Sequence, residues 1–471
     1  MKKYTLNKIF ETVTENKLIC ILFLASTLFF IWQHSTGVSW DFISYKLNAQ
    51  YIFSDGSYFE WYRPPLMPFL LGIFSLFGWK TAEYLFIISV SILYLFACLK
   101  FADNFKIDKD IFYAISLTPF LIVHSFSVGT ELLSFSLVVL GIAYYERSSS
   151  GFFFGLSYLA KSTNLIYAPF MFIGKSYKKI LLCFLFYSLT VLPWLIYNYV
   201  LTGNPFTNFM DGYASQVKFR GYMNTPFSFK DLVIAGNYLL LFGLFGLIKK
   251  LKEIKSINFR EKRFVEFVII ILFLILTLYA YYHVPLKIER YLFNIVLPLA
   301  YFSTVFLVKI NKKVVYAIIL FSFVALLVIP VWKVRLQDDS LYKQTLEETR
   351  MLIARCSLQS NSWIYLNNLG RLTEPAPDKR IIIHKLNEGY KILLFNNVEE
   401  PDYTYDRKFI ESLPIIKKTN DYVLIGMSDY CKQTTTYHKT YLENIGELYR
   451  VAFNESFSIN LYELLFTDKT A

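Results

Sequence analysis

Ser39-Trp40-Asp41-Phe42-Ile43-Ser44-Tyr45, followed by Tyr62-Arg63-Pro64-Pro65-Leu66-Met67-Pro68, stands directly behind an apolar run over 18–33. An aspartate and an arginine at the rim of an apolar protein cost free energy to keep there, so a membrane chain that carries them generally uses them. The rest of the chain is that of a membrane protein. Its 471 residues are 55% hydrophobic, 19% aromatic and only 18% charged, a composition no ordinary soluble domain has. A spanning helix needs about 20 mostly apolar residues, fewer where aromatic or basic side chains reach the interface. Such runs lie at 18–33, 81–100, 111–127, 131–145, 179–200, 231–248, 264–282, 291–309 and 314–333. Two further stretches are shorter or broken. The run 66–78 follows Pro64-Pro65 and reads as an interfacial or re-entrant helix; 151–173 carries Lys161-Ser162-Thr163-Asn164 at its middle and reads as a tight helical hairpin. The expectation is an α-helical polytopic membrane protein of about 10 to 12 transmembrane or re-entrant helices.

Charge sets the expected orientation, because Lys and Arg collect on the cytoplasmic side of short loops. With the N-terminus inside, the inner segments hold 21 Lys and Arg and the outer loops 8. The net charge of +12 is then mostly topology. Nucleic-acid binding would want a basic face on a soluble module, and none is visible. Residues 1–17 carry four lysines and no small-residue cleavage site follows, which reads as an uncleaved signal anchor.

At Lys333 the apolar runs stop. We therefore divide the chain into a membrane domain, 1–333, and a small α/β domain, 334–471, placed outside by the odd number of preceding crossings. Strand-like runs recur in it at 363–366, 380–383, 392–395, 422–425 and 459–462, with a helical pattern over 341–355. Of the five cysteines, Cys20, Cys98 and Cys183 lie in membrane runs, while Cys356 and Cys431 lie in the tail and are free to pair in an oxidising compartment. No H-E-x-x-H or C-x-x-C metal motif and no internal repeat is present.

The pattern Asp41-x-x-x-Tyr45-x-x-x-Ala49, Gly56, then Arg63-Pro64-Pro65-Leu66-x-Pro68-x-Leu70-Leu71 before Phe77-Gly78 resembles the first extracytoplasmic loop of GT-C glycosyltransferases. The branch it is most similar to includes protein O-mannosyltransferases and aminoarabinose transferases. Four more stretches agree in order: Gly155-Leu156-x-Tyr158-Leu159-Ala160-Lys161-x-Thr163, Leu192-Pro193-Trp194-Leu195-Ile196-Tyr197-Asn198, Thr202-Gly203-Asn204-Pro205-Phe206, and Glu289-Arg290-Tyr291-Leu292. The resemblance implies a polyprenyl-phosphate-dependent glycosyltransferase, inverting at the anomeric carbon, with dolichyl or undecaprenyl phosphate as carrier. The acceptor would be a protein, a glycan or a lipid on the outer face of the plasma or inner membrane.

An attacking hydroxyl must lose a proton, which one carboxylate in reach can take. By resemblance Asp41 is that base; the competing reading is a cap for an interfacial helix beginning at Phe42. Glu131, after Val128-Gly129-Thr130, matches a second acidic position of the family. There it would orient the acceptor or Asp41, or share a divalent metal with it; the plainer alternative is a charge favoured by a helix N-terminus. The leaving phosphate needs cations, and Arg290, Lys161 and Arg63 are the candidates, since a guanidinium fork matches phosphate oxygens. Arg63 and Lys161 have a second reading, as partners of carboxylates that hold loops together. Tyr45, Tyr62, Tyr291 and His283 are candidates to line the substrate site, and an aromatic belt at the interface explains the tyrosines equally well. The sequence settles no cofactor and leaves a divalent metal open. A transporter or flippase of lipid-linked sugars, or a polymerase, is the rival reading. A transporter would show mid-membrane charges on repeated, broken helices.

Overall fold

A computed structural model describes residues 17–54, 56, 58–223, 225–254, 261–310, 312–329, 340–353, 356–362, 373–375, 382–396, 407–427, 431–432 and 437–442. Six helices are long and apolar enough to cross a membrane: Lys17–Thr36, Trp79–Phe105, Tyr177–Thr202, Phe229–Ile254, Lys262–His283 and the composite Glu289–Leu307. Shorter apolar helices join them at Leu66–Phe77, Glu131–Ala143, Ser150–Ala160 and Lys313–Val328. The protein is therefore a helical membrane protein. Leucines and phenylalanines of Tyr177–Thr202 point outward, among them Leu181, Phe184, Leu185 and Leu189, as suits a helix facing acyl chains.

Two runs depart from the single spans expected of them. Residues 111–127 break into Lys109–Ser116 and Pro119–His124. Pro119 lacks the N–H that would continue the first helix, and the Thr118 side chain instead accepts from the Leu121 N–H to start the second. The 131–145 run becomes a 13-residue helix, Glu131–Ala143, buried along its whole length. It is too short to cross alone and is shielded from lipid by its neighbours. The 151–173 stretch does break at Lys161, whose extended backbone separates helix Ser150–Ala160 from a 3-10 segment, Ser162–Phe172.

Close packing holds the bundle. Gly246 of Phe229–Ile254 lies so near the backbone carbonyl of Phe302 that a Cβ would overlap it, the small-residue contact by which membrane helices approach without a hydrophobic driving force. Between helices Lys17–Thr36, Trp40–Phe53 and Trp79–Phe105, Glu83 accepts from Lys46 Nζ at 2.9 Å and pairs with His34 Nε2 at 2.6 Å, all buried. His34, close to Asp41 in sequence, thus belongs to a buried brace for the Trp40–Phe53 helix. That helix is capped by Ser39, which accepts from the Phe42 N–H at 3.4 Å, and it begins at Trp40. The cap reading of Asp41 is corrected: Asp41 lies in the first turn with its side chain free for other partners.

The tail forms a five-stranded mixed sheet in the order Thr373–Pro375, Leu358–Ser360, Lys391–Phe395, Tyr422–Ile425, Ile415–Lys418. Its strands are β2 (Leu358–Ser360), β3 (Thr373–Pro375), β4 (Lys391–Phe395), β5 (Ile415–Lys418) and β6 (Tyr422–Ile425). Helix Ser340–Ile353 follows the pattern expected over 341–355. Of the expected strands, 392–395 and 422–425 form; Ile382–Asn387 is a helix where 380–383 was read as extended, because its apolar Ile382 and Leu386 are spaced to bury one helical face. The runs 363–366 and 459–462 lie outside the described residues. Cys356 and Cys431 form a disulfide across 75 residues. A second, two-stranded sheet pairs β1 (Tyr58–Glu60) in parallel with β7 (Tyr437–Lys439), joining the tail to the first loop.

Candidate active site

The loop 58–63 and the first turn of Trp40–Phe53 build the centre of the site. Asp41 accepts from Arg63 Nη2 at 3.0 Å on one carboxylate oxygen and from Arg290 Nη1 at 2.8 Å on the other. Arg63 also donates from Nε to Glu60, whose second oxygen accepts from the Tyr58 hydroxyl. Glu60 is fully buried and Arg63 nearly so, while about a quarter of the Asp41 side chain is open (24%). The rings of Tyr45 and Tyr62 both lie against the guanidinium of Arg63, each centroid 4.9 Å from its carbon. The loop is gripped from outside by Asn208, which donates to the carbonyl of Arg63 at 3.3 Å and also to that of Trp61.

Opposed effects act on Asp41. Burial pushes its carboxyl up, but the charges and hydrogen bonds of Arg63 and Arg290 outweigh burial and bring it from 3.8 down to about 2. Burial pushes the Tyr45 phenol up to about 12, so Tyr45 stays neutral at any working pH.

A second ion pair stands nearby. Gly129, at a backbone φ of +100° that favours glycine, turns the chain into the Glu131–Ala143 helix. Glu131, buried in the first turn, accepts from Lys161 Nζ at 3.2 Å. Tyr291 lies between the two centres, its ring 5.8 Å from Lys161 Nζ and 5.5 Å from the Arg290 guanidinium.

Two adjoining cavities open on these groups. One, of about 350 Å³, is lined by Asp41, Tyr62, Arg290 and Tyr291. The other, of about 320 Å³, is lined by Lys161, Asn164, His283, Tyr291 and Asn294. Thr163, Tyr213, Gln216, Val284 and Tyr291 belong to both walls. The structure thus gathers Asp41, Arg63, Arg290, Tyr45, Tyr62 and Tyr291 at one centre and Glu131, Lys161 and His283 around the adjoining chamber. Arg63 and Lys161 both pair with carboxylates, as their second reading had it.

Sequence reasoning passed over Glu60, although an acid between aromatics and three residues before Arg63 is a detectable signal. It also passed over Asn208, Tyr213, Gln216 and Asn294, polar residues that the sequence alone does not bring to this part of the fold. Among the described residues no group of three or more His, Cys, Asp or Glu side chains is placed to hold a metal ion. Both Asp41 oxygens accept from guanidiniums, and Oε1 of Glu131 accepts from an ammonium.

The fold has a counterpart among solved structures. Two solved structures match. ArnT from Cupriavidus metallidurans, crystallised with undecaprenyl phosphate, matches with a TM-score of 0.56 at 10% identity, over 86% of this chain and 97% of ArnT. The Archaeoglobus fulgidus oligosaccharyltransferase, crystallised with Zn and sulfate, matches with a TM-score of 0.47 at 12% identity, over 79% of this chain and 67% of its own. No protein-family model and no curated protein sequence matches. At these identities the likeness is one of fold.

Proposed function

We propose that the protein is an inverting glycosyltransferase that moves a sugar from a polyprenyl phosphate to an acceptor hydroxyl on the outer face of the plasma or inner membrane. The observation that carries this reading is Asp41 held between two guanidiniums on a cavity wall, with a second, Lys161-lined cavity beyond Tyr291. The acceptor hydroxyl enters the Asp41 chamber and gives its proton to the carboxylate. Its oxygen bonds to the anomeric carbon as the bond from that carbon to the phosphate oxygen breaks on the opposite face. The polyprenyl phosphate leaves with the electron pair. In-line displacement sets the phosphate away from Asp41, on the Lys161 side of Tyr291, where Lys161 and Arg290 meet its charge.

The fold shared with ArnT, itself crystallised with undecaprenyl phosphate, supports a polyprenyl-phosphate donor. The Cys356–Cys431 disulfide supports an oxidising, extracytoplasmic setting for the tail, with 1–333 as the catalytic membrane domain and 334–471 outside it. Glu131 acts in this scheme by holding Lys161.

A carboxylate near 2 is a weak base, and the donor itself corrects this. A phosphate that competes for Arg290 removes a positive charge from Asp41 and raises its pKa toward the working range. In pH profiles of sugar transfer, kcat/KM reports the free enzyme and kcat the loaded one. Asp41 in the free enzyme stays ionised until pH falls to about 2. Its acid limb in kcat/KM therefore lies near or below the accessible range, while its limb in kcat lies at higher pH. Coincident limbs would contradict a donor-tuned base. The same depression stabilises the fold above pH 3.8 and is lost as pH drops through about 2.

A further inference from the structure

Among the described residues, the tail reaches the site through the short segment 437–442. β7 pairs in parallel with β1, Phe59 opposite His438 and Glu60 opposite Lys439. The His438 ring bonds the Tyr51 hydroxyl at 3.1 Å and lies edge-on to Trp61, with centroids 6.0 Å apart. Just beyond, Asp211 accepts from the Thr440 hydroxyl at 2.6 Å and from the Tyr441 N–H at 2.5 Å. Tyr441 then sets its ring 5.1 Å from that of Tyr62.

These contacts converge on Asp41. Asn208 and Asp211 stand three residues apart on the helix Thr207–Met223, hence on one face. Asn208 grips the loop at Trp61 and Arg63 while Asp211 grips the tail at Thr440 and Tyr441. Tyr441 backs Tyr62, Tyr62 covers Arg63, and Arg63 bonds Asp41. Tyr62 itself lines the Asp41 chamber. We propose that the segment 437–442 is a working part of this site, with Tyr441 a positioning residue that holds Tyr62 and Arg63 against Asp41. The outer domain thereby completes the catalytic wall. The role rests on the transferase reading for its kinetic consequences; the docking of the segment does not.

The test has two arms on the full-length protein. Phe59→Cys with His438→Cys places two thiols at paired strand positions. An intramolecular disulfide on mild oxidation upholds the docking, and its absence overturns it, whatever the activity. In the second arm, Tyr441→Ala is expected to lower kcat roughly 10- to 100-fold, the scale of a small misplacement at a reacting centre, with donor KM within about twofold. Loosening Arg63 also weakens its hold on Asp41, so the Asp41 limb of kcat shifts to higher pH. Tyr441→Phe keeps the ring and restores both. Equal loss at all pH with a raised donor KM, or no loss at all, overturns the positioning role. If the wild type transfers no sugar the transferase reading fails and with it the kinetic role, while the cross-link still decides the docking.

Discussion

Asp41→Asn is expected to slow sugar transfer by about 10² to 10⁴-fold, the range contributed by a positioned general base. Donor affinity should hold or improve. The asparagine keeps the shape of the side chain but carries no charge, so Arg290 turns more readily to an incoming phosphate. The split between a collapsed kcat and a preserved donor KM distinguishes a base from a residue that merely holds the loop. A loss confined to KM would move Asp41 out of the chemistry and into substrate binding.

The second large effect belongs to Arg63. It joins Asp41 to Glu60, and Glu60 is fully buried. Arg63→Ala strands that carboxylate without its guanidinium, and breaking such a buried pair costs about 3 to 5 kcal/mol. A clear fall in the unfolding temperature in detergent, together with loss of transfer, is the expected result. Arg63→Lys should recover little, because one ammonium cannot reproduce a planar fork that serves Glu60 from Nε and Asp41 from Nη2. The double variant Glu60→Gln with Arg63→Met separates the two roles. With no charge left unpaired it should regain much of the stability and none of the activity. Full stability in Arg63→Ala alone would show that Glu60 has other means of neutralisation.

Much of this arrangement is readable in the chain before any coordinates. Long apolar runs give the spanning helices, since in a bilayer almost nothing else satisfies the backbone. Charged residues at the ends or breaks of those runs mark the candidate site: Asp41, Arg63, Lys161 and Arg290 all stand at such places. Pairing is what the sequence does not carry. Arg290 lies 249 residues from Asp41 and bonds it directly, and nothing local announces that. The short helices at 109–124 were hidden because an apolar run reads alike whether it crosses lipid or lies buried among other helices. Glu60 was overlooked for a related reason, as its burial depends on Tyr58 and Arg63 folding over it. The division at 333 follows composition, but β7 returns from beyond it to pair with β1. Three residues of strand leave only a weak period-two signal, and their partner lies hundreds of positions away.

The most direct test is the product itself. Purified protein in nanodiscs is given an isotopically labelled polyprenyl-phosphate sugar of known anomeric configuration, with a membrane extract as acceptor, and the transferred linkage is assigned by NMR. Transfer with inversion at the anomeric carbon by the wild type, and none by Asp41→Asn, is the expected result. Retention of configuration, transfer undiminished in Asp41→Asn, or labelled lipid crossing the bilayer with no product formed would contradict it.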